Sequence, residues 1–234
     1  MRAGRVSYMA RADAQRRPDV QRRPNKAAGV SLIFLGGFNP VIFQPAWFMR
    51  NGLIPDDDDS VEMEAVTNQM TVWGQSWFKV VVVAERCEFH ATDEIASFKG
   101  LHDIADGVFS LLPHVPLSSF GVNRFAHFQL ESEDAWNRLG FSLFTREPWE
   151  GVLGDARMRT VQVQSQRADE VDGAFTVTVQ PSTQFKTAVF VSTNDHYVVD
   201  PNAAGAQEAL DRVAQVFDRS VDHSGAVIEQ VRAL

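Results

Sequence analysis

A chain of 234 residues that is 44% hydrophobic and 22% charged holds enough apolar material for a packed core, which excludes disorder along its whole length. Its net charge is −8, but residues 1–28 carry eight Arg/Lys against two Asp, a surplus of +6 that leaves −14 on residues 29–234. An acidic body is poorly suited to gripping phosphates, so nucleic acid is an expected partner only through the basic arm.

Residues 1–28 contain two Arg-Arg-Pro steps and no hydrophobic periodicity, the pattern of a disordered basic arm. Arg-Arg pairs ahead of "VSLIFLGGF" invite comparison with a twin-arginine export signal, but the apolar run at 30–35 is short and no small-residue cleavage pattern follows. No run approaches the roughly 18 apolar residues of a membrane span. Cys87 is the single cysteine, which excludes an internal disulfide and fits a reducing cytoplasm.

From residue 29 onward the chain reads as a tandem duplication. "SLIFLGGFNPVIFQPAWFMRNGLI" (31–54) and "FGVNRFAHFQLESEDAWNRLGFSL" (120–143) each run from an apolar strand into a segment with one Trp. Ile33 to Trp47 and Val122 to Trp136 share one spacing, and Gly52 and Gly140 follow the tryptophans. In the first half, "MTVWGQSWFKVVVVAERCEF" (70–89) is rich in Val, Trp and Phe, and Gly74 suggests a break into two strands or a bulge. A helix follows with Thr92 as its cap, an apolar stripe that includes Ile95, Phe98, Leu101, Ile104 and Val108, and Pro113 as its stop. In the second half "RMRTVQVQSQ", "GAFTVTVQPS" and "KTAVFVSTNDHYVVD" alternate as meander strands, with a turn at "ADEVDG". Asp200-Pro201 then caps a helix that carries Ala206, Leu210, Val213, Val216 and Phe217 and ends near Val231.

The expected fold is therefore α+β: a single domain of two pseudo-repeats, 29–113 and 114–234, each β-α-β-β-β-α. Such units join into one curved antiparallel sheet with helices on one face and the other face open. In topology this resembles the saddle of the TATA-binding protein, and topology alone does not fix function.

In "HVPLSSFGVNRFAHFQL" (114–130) the strand period puts Val122, Ala126, Phe128 and Leu130 toward the core, and Asn123, Phe125, His127 and Gln129 on the open face. Gln162, Gln164, Thr176 and Thr178 fall on that face as well. A surface of Thr, Gln, Asn and aromatic side chains is polar yet nearly uncharged, which suits a contact with another protein or a second copy; a solvated sheet face is the competing reading. A binding or assembly protein that works through this face or a sheet edge, as a homodimer or with a protein partner, is the leading expectation. The alternative is a small-ligand receptor or enzyme whose pocket gathers Asn123, His127, His196 and Trp47.

Catalytic residues, cofactors and metals are not expected. Asp195 and His196 are adjacent in a strand and point to opposite faces, as do Cys87 and His90 at their odd separation. The histidines at 90, 102, 114, 127, 196 and 223 form no metal-binding pair at i,i+4 and no H-x-H. "PDDDDS" (55–60) lacks the alternating ligands and glycine of a calcium loop, and no phosphate-binding glycine loop or nucleophile elbow occurs.

The pieces "FNPVIFQPAWF", "HVPLSSFGVNRFAHF", "REPWEGVL" and "NDHY", spread over 31–200, resemble a group of uncharacterised bacterial proteins of similar length. The resemblance implies a bacterial protein with phage or mobile-element associations. It carries no activity and no functional residue.

Overall fold

The computed structural model describes residues 25–56, 60–167, 171–200 and 205–234. The arm at 1–24, the acids at 57–59, part of the turn at 168–170 and Pro201 lie outside the described residues. Among the described residues nine strands form one antiparallel sheet in the order β2-β3-β4-β5-β1-β6-β9-β8-β7. They are β1 (Asn25–Gly36), β2 (Glu62–Val66), β3 (Met70–Gln75), β4 (Phe78–Val83), β5 (Arg86–Thr92), β6 (Leu117–Gln129), β7 (Val161–Gln166), β8 (Gly173–Pro181) and β9 (Ala188–Val198). The helices are α1 (Pro45–Arg50), α2 (Ile95–Leu111), α3 (Glu133–Leu143) and α4 (Gln207–Arg232).

Alternation decides which face each strand buries. Val30, Leu32 and Phe34 of β1, Val80 and Val82 of β4, Cys87 and Phe89 of β5, and Phe120 and Val122 of β6 are all fully buried. They meet Leu101, Val108 and Phe109 of α2 and Val213 and Phe217 of α4. A second cluster, with Phe128, Val189 and Val191 from the sheet, closes on Leu139 of α3 and Ile228 and Val231 of α4. Both clusters lie on the same side, so among the described residues the helices cover one face and leave the other bare.

Several boundaries differ from the pattern in the sequence. β1 begins at Asn25, so residues 25–28 are strand rather than arm. These small and polar residues lie ahead of the hydrophobic run and are held by pairing with β6 and by the Asn25 side chain, which accepts a hydrogen bond from Arg232. The Val-rich stretch at 70–89 forms three strands, not two, and β2 precedes them. Gly74 lies inside β3 opposite Lys79, and the chain instead turns at Ser76-Trp77 and Ala84-Glu85. Neither turn carries the Gly, Pro or Asn that would mark it; the carbonyls of Ala84 and Glu85 accept from the amides of Phe38 and Gly36. Thr92 is the last residue of β5 and bonds to Ser97, while Glu94 precedes the first turn of α2. Ile95, placed in the apolar stripe by spacing, is 86% exposed, because the stripe begins to face the sheet only one turn later.

Gly173 opens β8 at φ +149, where a Cβ would come within 2.0 Å of the His196 carbonyl oxygen. A side chain there meets unyielding backbone in a conformation that L residues rarely adopt. Gly173→Ala is expected to cost about 1–3 kcal/mol, read as a lower midpoint in urea unfolding. Gly154, with nothing within 4 Å, is the control that should tolerate Ala.

Candidate functional site

On the bare face the strands curve into a trough of about 700 Å³. Its middle is one straight row of side chains that the registers bring into line: Gln164 (β7), Thr176 (β8), Asn194 (β9), Asn123 (β6), Ser31 (β1) and His90 (β5). Five strand spacings make that row about 24 Å long. A parallel row runs Gln162, Thr178, Ser192, Phe125, Gly29. Gly29 matters here: a Cβ would stand 2.8 Å from the Phe125 ring, so its absence lets that ring lie across β1. Gln162 and Gln164 donate to the hydroxyls of Thr178 and Thr176 at 3.2 and 3.3 Å, which fixes the amides in a ladder.

Charge enters the trough at one end. Glu88 accepts from Arg86 at 2.9 Å and pairs with His90 Nε2 at 2.8 Å. Burial works against the Glu88 charge, but the His90 hydrogen bond and the Arg86 and His90 charges outweigh it and hold the carboxyl below its ordinary 4.5. Among the described residues that line the trough, both arginines are thus already paired, Arg86 with Glu88 and Arg124 with Asp93.

The residues expected to share a site separate into two sets. Asn123, Gln162, Gln164, Thr176 and Thr178 all line the trough. His127 shares their face but lies beyond one end, 4% exposed, with Nδ1 2.9 Å from Ser182 Oγ and its ring against Phe185 and Phe190. His196 pairs with Gly121, six residues along β6 from His127, or about 20 Å. Trp47 sits on α1 on the helix-covered side, packed on Phe43 and Phe48. A pocket that gathers Asn123, His127, His196 and Trp47 is therefore not formed. Asp195 faces away from His196 into the helix side, buried with Arg167, Tyr197 and Ser220. Cys87 is in the core, its thiol pushed well up by burial, while His90 is in the trough.

Sequence reasoning passed over Ser31, Glu88, His90, Ser192 and Asn194. The signal was present in part: parity along β9 puts Asn194 on the open face with Asn123, and the register then sets the two opposite each other. Glu88 and His90 needed the third strand of the Val-rich stretch, which no turn residue announces. Among the described residues no group of three His, Cys, Asp or Glu could hold a metal ion, and no helix is long and apolar enough to cross a membrane.

Burial holds His127 below its ordinary 6.5. Both His127 and Glu88 bind fewer protons folded than unfolded, so stability is expected to fall as pH drops below 6.5 and again below 4.5. His127→Phe should flatten the first decline in urea midpoints; a profile that keeps it would contradict the assignment. No protein-family model matches the chain, and no curated protein matches it.

Proposed function

We propose that the chain is a binding protein that holds an extended polypeptide across the trough of its helix-free face, and that it carries out no chemistry of its own. One observation supports this above the rest: the row from Gln164 to His90 offers hydroxyl and amide groups from five strands and an imidazole from the sixth, beside an Arg86–Glu88 pair. An extended backbone presents alternating donors and acceptors, which such a ladder can meet, and the rings of Phe125 and Phe190 give apolar side chains a place to rest. A phosphate polymer would need clustered free cations, and the acidic body works against it.

We also read the two halves as repeats of one plan, joined as in the TATA-binding-protein saddle. In support, β1 and β6 lie side by side at the sheet centre, each leads to a helix with a Trp, and β5 and β9 return beside them. The buried Cys87 suits a reducing cytoplasm.

The test is recovery of partners on tagged chain, wild type against the double variant Thr176→Arg/Asn194→Arg, which sets two cations in the neutral row. Loss of a partner with an unchanged circular dichroism spectrum is the expected result. Recovery of the same partner by the variant would place binding elsewhere.

A further inference from the structure

The sheet ends in two edges of opposite character. β2 carries Glu62 and Glu64, and its register with β3 shifts between Met63 and Ala65. Charge and bulge are both devices that keep an edge from pairing with another chain. β7 has neither. Its sequence, Val-Gln-Val-Gln-Ser-Gln, contains no charge and no proline, and it pairs with β8 in unbroken register from Val161 to Gln166. Every residue after Val161 is exposed, Val163 at 59%, and among the described residues no strand pairs with its outer side.

We propose that β7 is a self-association edge, pairing antiparallel with β7 of a second copy so that two sheets become one across a two-fold axis. Self-complementarity selects the occupant. A two-fold axis perpendicular to the sheet keeps both open faces on one side and sets each residue opposite one of the same parity. Gln162, Gln164 and Gln166 then meet only glutamines, whereas Val161, Val163 and Ser165 meet only valine or serine. Charge points the same way: two copies of net charge −8 repel, so they must meet where neither presents a like charge. β7 satisfies that condition and β2, with its two glutamates, does not. The trough reaches β7 through Gln162 and Gln164, so pairing makes the troughs of the two copies continuous. The assembly does not rest on what the trough holds.

Light scattering behind size-exclusion chromatography, on the full chain over a range of concentrations, tests it. The wild type is expected to be a dimer. Val163→Lys, at a side chain that is already exposed, and Gln164→Pro, which removes an edge N–H, should both be monomers with unchanged circular dichroism. Met63→Lys on the β2 edge should remain a dimer. A monomeric wild type, a dimer that survives either β7 variant, or dissociation by Met63→Lys would overturn the proposal.

Discussion

Asp195→Ala is expected to cost about 3–5 kcal/mol of folding stability, among the largest effects of any single substitution in the chain. The Asp195 carboxylate is 6% exposed, and it accepts from Arg167 through one oxygen and from Tyr197 at 3.0 Å and Ser220 at 2.6 Å through the other. Arg167, 8% exposed, also lies over the Tyr197 ring at 3.8 Å. Truncation removes the acceptor these groups share and leaves a guanidinium away from water beside a buried hydroxyl pair. Burial and the neighbouring carboxylate raise the Tyr197 hydroxyl above its ordinary 10.0, so it serves the network as a neutral donor. Urea unfolding of Asp195→Ala beside Tyr197→Phe reads the effect, and the second change should be the milder because it removes one hydroxyl and no charge. Equal, small shifts for the two variants would mean that the ion pair contributes little.

The second large effect is expected at Trp73. Its side chain is fully buried, its Nε1–H donates to the Phe43 carbonyl at 2.7 Å, and its ring meets Phe48 and Phe78 edge-on at 5.0 and 5.7 Å. It ties β3 to the segment that carries α1. Trp73→Ala should cost about 3–5 kcal/mol, since the cavity adds to the lost transfer free energy. Trp149, 47% exposed, is the comparison: its replacement by Ala should shift the urea midpoint little. Similar shifts for the two would contradict the packing described for β3.

These two residues also mark what the sequence could and could not disclose. The alternation of apolar and polar residues in β6, β8 and β9 separates the helix-packed side from the open face, and Val122, Ala126, Phe128 and Leu130 are buried as it predicts; His127, on the open side of β6, is buried as well. The same alternation put Asp195 and His196 on opposite faces. It could not reveal that Asp195 meets Arg167 and Ser220, partners 28 and 25 residues away, since packing across the sheet leaves no local periodicity. Nor could it count the strands at 70–92, where turns built from Ser-Trp and Ala-Glu look like more strand. Half of the trough was legible in Asn123, Gln162, Gln164, Thr176 and Thr178. The other half, Ser31, Glu88, His90 and Asn194, depends on strand order, which inserts β1 between β5 and β6 although the chain runs from β5 to β6 through α2.

The most direct test of the trough as the binding surface is a photo-reactive amino acid placed at Asn194, in the middle of the row, and separately at Asp222 on the helix side, with both chains irradiated in cells. A discrete polypeptide adduct at Asn194 that is lost when Thr176→Arg is added, with none at Asp222, is the predicted result. Adducts at Asp222 alone, or the same adducts at both positions, would contradict the account and move the binding surface off the open sheet.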